Sequence, residues 1–248
     1  MDSFHSLVIR KSDSSVKDLF VRGVLAGLFV AFGALCSQIA VVWSGQSIGA
    51  ACVFPIGLIL VIFLRAELFT GNNLMTWLAF SGVIPFSSVF RNWVVVYIAN
   101  FLGSMLFIQS VVGLFGLWDL FGGCLGNRMV DMALYKTHLP AEQMFLSGIA
   151  CNIFVCLAVI LSFWARTIIG KLIAIYIPIF LFVYFGFEHS IANMYFLGVA
   201  RIVEPGIISL DGLFTNLFFV TLGNIVGGAI IVSGFLYALS FDVEKWRE

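Results

Sequence analysis

The stretch "FVYFGFEHSIANMYFLGVA", residues 182–200, decides the fold. It is apolar at both ends, and Glu188, His189, Ser190 and Asn193 interrupt it. The surrounding chain of 248 residues is 61% hydrophobic and 10% charged, with a mean hydropathy of +1.08. Such a composition belongs to an integral membrane protein and not to a soluble core. An ionisable group inside a membrane span is costly, and its presence marks a functional site.

Crossing the hydrocarbon takes about 20 mostly apolar residues in helical form. Six stretches qualify, at roughly 21–43, 49–80, 90–118, 143–165, 172–200 and 212–240. The second and fifth carry internal polar residues. The connection 119–142 is long enough for a short helix lying on the bilayer. With both termini inside, inner segments hold Arg10, Lys11, Lys17, Arg22, Arg91, Arg166, Lys171, Lys245 and Arg247. Outer segments hold only Arg128, Lys136 and Arg201. This bias predicts cytoplasmic termini. Residues 1–20 are polar, with no signal-peptide pattern, and fit an amphipathic helix on the inner surface. His5 is expected in a mobile tail, and His138 in a solvated loop. Net charge is zero, which gives no nucleic-acid surface. The five cysteines form no CxxC pair, and no cofactor or metal is expected.

The two interrupted spans match each other. "RAELFTGNNLM" and "GFEHSIANMYF" both hold Glu-x-x-x-x-Asn, as Glu67 with Asn72 and Glu188 with Asn193. The third and sixth spans share Asn-x-x-x-Val-x-x-x-Asn-x-x-Gly, starting at Asn92 and Asn216. Two matches in one order indicate repeats, about 21–118 and 143–240, within a single transmembrane domain. Three spans per half make the repeat inverted, as in transport proteins. Breaks are expected near 66–73 and 187–192, facing each other across a pore. Glu67, Asn72 and Glu188 are read as holding the breaks in shape. Half-helix N-termini there favour an anion.

"AELFTGN" (66–72), "CNIFVCLAVILS" (151–162) and "FEHSIANM" (187–194) resemble the signature segments of the formate/nitrite transporter family, and the resemblance runs from the first span to the sixth. It implies an aquaporin-like fold, a homopentamer with one pore per protomer, and passage of small monovalent weak-acid anions across a cell (inner) membrane. Formate is the first expectation, with nitrite or hydrosulfide as alternatives. The resemblance makes His189 the central pore histidine, Thr70 its partner and Lys136 the lysine of the outer vestibule. It puts Asn152, Asn193 and Asn224 around the central chamber. It makes Phe54, Leu58, Phe69, Val155 and Phe182 the apolar constrictions. Arg65 departs from the pattern, standing where a small residue, often Gly, precedes "AELFTG". It is expected to pair with a glutamate or with open carbonyls, or to lie at a subunit interface.

An aquaporin-like channel for neutral solutes would share the inverted repeat. None of the five prolines follows an Asn, so Asn-Pro-Ala repeats are absent. An enzyme built on Glu67, Glu188 and His189 would lack both metal-ligand spacing and a nucleophile.

Overall fold

The computed structural model describes residues 2–245, with the side chains of 4–239. It is all helical, and four helical runs are long and apolar enough to cross a membrane. They are α2 (Val16–Ser44), α7 (Phe86–Phe107) with a π-helical continuation Ile108–Gly113, α9 (Ala141–Trp164), and α12 (Leu210–Ile225) running through π-helix Val226–Val232 into α13 (Ser233–Lys245). Two interrupted segments complete the bundle. One is α3 (Ile48–Val53), α4 (Ile56–Phe63), α5 (Phe69–Asn72) and α6 (Met75–Phe80); the other is α10 (Ile168–Tyr184) and α11 (Ser190–Val203). Two shorter helices precede long ones: α1 (Asp2–Asp13) stands before α2, and α8 (Cys124–Thr137) before α9.

The long helices pair α2 with α7 and α9 with α12. Small residues let their backbones touch, as in membrane helix pairs generally. A Cβ on Gly27 of α2 would fall 2.1 Å from the Asn100 carbonyl oxygen, and one on Gly223 of α12 2.2 Å from that of Phe145. Apolar residues also line the outer faces. Phe90, Val94, Ile98, Phe101 and Leu102 of α7 are exposed, four or three positions apart, so one stripe of that helix is open to lipid or to a partner subunit.

The breaks fall at 64–68 and 185–189, about two residues before the expected positions. The cause is the turn that ends the first half-helix. The Ala66 N–H reaches back to the Val61 carbonyl at 2.9 Å, and the Phe187 N–H to the Phe182 carbonyl at 3.0 Å. This is the six-residue helix stop whose fifth residue must be left-handed. Gly186 supplies it at φ 72°, whereas in the other half Arg65 takes it at φ 53°. The polar residues that drew attention in the sequence therefore lie at the end of each break and in the half-helix that follows, while the turn itself is made at Arg65 and Gly186.

The N-terminal segment is not a loose tail. Phe4 packs on Trp77 and Phe163, and the His5 ring centroid lies 4.8 Å from that of Trp77. Ser12 Oγ bonds Ser88 Oγ at 2.9 Å. Arg91 donates to the carbonyls of Ser12 and Ser14. α1 is thus fixed against α6, α7 and α9. Nor does α8 lie flat across the surface. Leu125, Met129, Ala133 and Lys136 are buried, and the helix packs on α11, α2 and α12. His138 caps its end, with Nδ1 2.7 Å from the Leu134 carbonyl.

Candidate functional site

Each break is held by the same three hydrogen bonds from one asparagine. At the first, Asn100 of α7 accepts from the Phe69 N–H at 3.0 Å and donates to the carbonyls of Gly23 and Glu67 at 2.7 and 2.9 Å. At the second, Asn224 of α12 accepts from the Ser190 N–H at 2.9 Å and donates to Gly148 and Glu188 carbonyls at 2.8 and 3.0 Å. Breaking a helix leaves backbone donors and acceptors open, and each costs free energy in a dry interior. One buried amide satisfies two of them, an N–H and a carbonyl of the break, and its third bond ties the break to the carbonyl of Gly23 in α2 or Gly148 in α9. Asn224 and Asn152 are therefore backbone clamps. Asn152 donates to the Asn224 carbonyl at 2.6 Å and the Thr70 carbonyl at 3.3 Å, so it ties the two breaks together.

Ahead of each clamp lies a charged group. Lys11 of α1 meets Glu67 at 2.6 Å, and Lys136 of α8 meets Glu188 at 2.7 Å. Asn72 donates to Glu67 and to Asn92. Asn193 donates to Glu188 and to Asn216. Glu67 and Glu188 are both buried, and each carboxylate is paired and hydrogen-bonded, as burial of charge demands.

Lys11 was not singled out in the sequence, although a signal existed. Lys136 follows Lys11 by 125 positions, the same offset that separates Gly148 from Gly23. The mirrored arrangement thus extends to α1 and α8, beyond the boundaries at 21 and 143 read from the spans.

Two cavities open on either side. The proximal one, beside α1, has about 310 Å³ and is lined by Lys11, Leu58, Val61, Arg65, Glu67 and Leu68 among others. The distal one, beside α8, has about 560 Å³ and reaches Phe54, Lys136, Phe182, Glu188, His189 and Asn193. They share no lining residue. Phe54 and Leu58, one helical turn apart, face opposite cavities, so an apolar layer separates the two. Phe54 meets Phe182 edge-on at 5.6 Å, and Phe182 stacks on His189 at 5.9 Å.

His189 stands at the floor of the distal cavity as the N-cap of α11. Its Nδ1 accepts the Ala192 N–H at 3.1 Å, so Nδ1 carries no proton there. Nε2 then holds the proton and donates it to Thr70 Oγ1, 2.9 Å away. Leu68 occupies the matching N-cap of α5 and offers no side-chain bond. Thr70 and Val155 are buried and line neither cavity; Phe69 likewise lines neither and packs edge-on against Trp93 and Tyr97.

Arg65 corrects an expectation. Among the described residues it has no carboxylate within ion-pair distance, and it is exposed on the wall of the proximal cavity. The expected pairing with a glutamate is not made.

A family model described as formate/nitrite transporter matches residues 1–238. The chain belongs to this family. It is 34% identical to the formate channel FocA of Haemophilus influenzae, over 87% of this chain and 84% of that one. It is 34% identical to a probable formate transporter of Methanothermobacter thermautotrophicus, over 90% and 89%. Among solved structures it is similar to a pentameric formate channel with formate bound, at TM-score 0.80 and 28% identity, over 91% of this chain and 97% of that one. A second, an FNT family ion channel, gives TM-score 0.78 at 25% identity, over 94% and 99%. The protein is a multi-pass membrane channel of the formate/nitrite transporter family.

Proposed function

We propose that this protein passes formate across a cell membrane as a homopentamer, through a pore in each protomer, by a proton-linked step at His189. In this reading the protomer crosses the bilayer six times, with both termini and the proximal cavity on the cytoplasmic side and the inner membrane as its site. The observation that carries the proposal is one histidine at the edge of an apolar layer. A bare anion sheds its hydration shell at high cost to enter such a layer. A neutral acid does not. His189 meets the distal cavity on one side and Thr70 on the other, so it can take a proton from cavity water and return it to the anion. A second ring proton has to displace the Ala192 cap at Nδ1, which links the protonation of His189 to the start of α11.

Lys136 draws the anion toward this floor. Its charge is largely spent on Glu188, so it acts as one member of a buried pair and not as a free surface cation. Phe54 and Phe182 on one side, and Leu58 on the other, form the barrier that neutral formic acid crosses. Pentamer assembly covers part of the apolar outer faces.

The test is flux into proteoliposomes of the purified protein, comparing formate, nitrite and hydrosulfide at two pH values. Preferred formate flux that rises as pH falls supports the reading. Preference for nitrite or hydrosulfide reassigns the substrate. Rapid passage of water or a polyol, with no weak-acid flux, replaces it with a neutral-solute channel.

A further inference from the structure

The two cavities differ sharply in charge. The distal cavity is balanced, with Arg128 and Lys136 against Asp131 and Glu188. The proximal cavity gathers Arg10, Lys11, Arg22, Arg65 and Lys171 around one carboxylate, Glu67. That carboxylate is already taken by Lys11 at 2.6 Å. Among the described residues, the other four cations have no carboxylate within ion-pair distance. Lys171 lies over the rings of Phe63 and Phe163, 5.8 and 5.9 Å from their centroids, which orients its ammonium without neutralising it.

Arg65 is the sharpest of these signals. It sits in a left-handed conformation, φ 53°, at the position that Gly186 fills in the other half. Glycine is the unstrained choice there. An arginine that keeps this backbone while its guanidinium has no protein anion to meet points to a ligand outside the chain. Four unneutralised cations around one small cavity repel each other, and a single monovalent anion leaves most of that repulsion in place. An anion with two or more charges removes more of it. Arginine forks suit phosphate oxygens in particular.

We propose that the proximal cavity binds a phosphate-bearing multivalent anion, and that its occupant blocks the pore from that side. The apolar wall of Leu58, Val61 and Leu68 closes the cavity behind the cations. A doubly charged oxyanion cannot shed its water to enter that wall. It therefore binds without permeating, directly in front of the break. The shared chemistry is a phosphate group, carried either by a soluble small molecule or by an anionic lipid headgroup. The binding claim is independent of the substrate; only the blocking claim rests on the reading of the protein as a formate channel.

The experiment is calorimetric titration of inorganic pyrophosphate into the purified full-length protein in lipid nanodiscs at low ionic strength. Saturable binding is expected, weakened strongly by added salt. Arg65→Gly should weaken it roughly tenfold while raising thermal stability, because the strain at the helix stop is relieved. Arg65→Lys should restore most of the affinity. Arg128→Gln, in the distal cavity, should leave binding unchanged. Absence of saturable binding by the parent protein overturns the proposal, and so does equal weakening by Arg128→Gln and Arg65→Gly. Nanodiscs of phosphatidylcholine alone, compared with nanodiscs containing phosphatidylglycerol, separate the sources. Pyrophosphate binding retained in both supports a soluble ligand, and binding lost only with phosphatidylglycerol supports the headgroup. In proteoliposomes, pyrophosphate on the α1 side should slow formate flux, and on the α8 side should not. Binding with no such block confines the proposal to the site. Absence of formate flux in the parent refutes the channel reading and leaves the binding result standing.

Discussion

The two helix breaks share a skeleton and differ in their contents. Both use a left-handed helix stop, an asparagine clamp with three backbone bonds, and a lysine brought in by a short preceding helix. At the resumption point, however, one half has Leu68 and the other His189. At the stop, one has Arg65 and the other Gly186. The shared bonds form the scaffold, which any broken membrane helix requires. Chemistry entered at the positions where the scaffold left the side chain free: a titratable ring on the distal side and a free cation on the proximal side.

The comparison can be broken most severely at the lysines. Glu188 is 1% exposed in its side chain and Lys136 8%, against 5% and 14% for Glu67 and Lys11. Removing one partner of a buried pair costs about 3–5 kcal/mol, since the other charge stays uncompensated. Lys136→Met should lose this much in detergent unfolding, and Lys11→Met clearly less. Adding Glu188→Gln to Lys136→Met should recover part of the loss. Equal effects at the two lysines would mean that the difference in burial does not govern the pair.

Next in size are the asparagine clamps. Asn100→Ala and Asn224→Ala each strand one backbone donor and one carbonyl of the break. At about 1 kcal/mol or more per stranded group, each should lose roughly 2 kcal/mol, and the two should agree closely. A large disparity between them would show that the mirrored bonds are not energetically equivalent.

The smallest effects lie at the substituted positions. Replacing His189 by Leu copies the proximal half and removes a helix cap, worth about 1 kcal/mol. Arg65→Gly copies the distal half and should gain about 1 kcal/mol by relieving the left-handed residue. Thermal unfolding of both variants checks the signs. A loss of stability in Arg65→Gly would mean that its side chain makes a stabilising contact.

Much of this was legible in the sequence. Four of the expected spans, the repeated Glu-x-x-x-x-Asn and the repeated asparagines read directly, because membrane burial makes polar residues rare and hence conspicuous. Asn100 and Asn224 even appear in the repeat, as the second asparagine of each matched segment. Other features were not legible. The break positions depend on φ at Arg65 and Gly186, and a residue name does not report φ. Lys11 lies in a polar segment, where a lysine draws no attention. Its pairing with Glu67 depends on α1 folding back, which hydropathy does not encode. Arg65 was conspicuous, but of its expected placements the pairing with a glutamate is not made, and the residue borders a cavity. Phe69 and Val155, which the resemblance makes constrictions, are buried and line neither cavity; whether a buried apolar side chain borders a pore is not written in its residue type.

The most direct test of the central claim is formate flux in proteoliposomes at two pH values, in the parent protein and in His189→Phe. The variant keeps an aromatic ring stacked on Phe182 and removes the titratable ring bonded to Thr70. The account predicts parent flux that rises as pH falls, and a correctly assembled variant whose flux is altered and no longer follows pH. A folded His189→Phe protein with unchanged flux and unchanged pH dependence would contradict it and remove His189 from the mechanism.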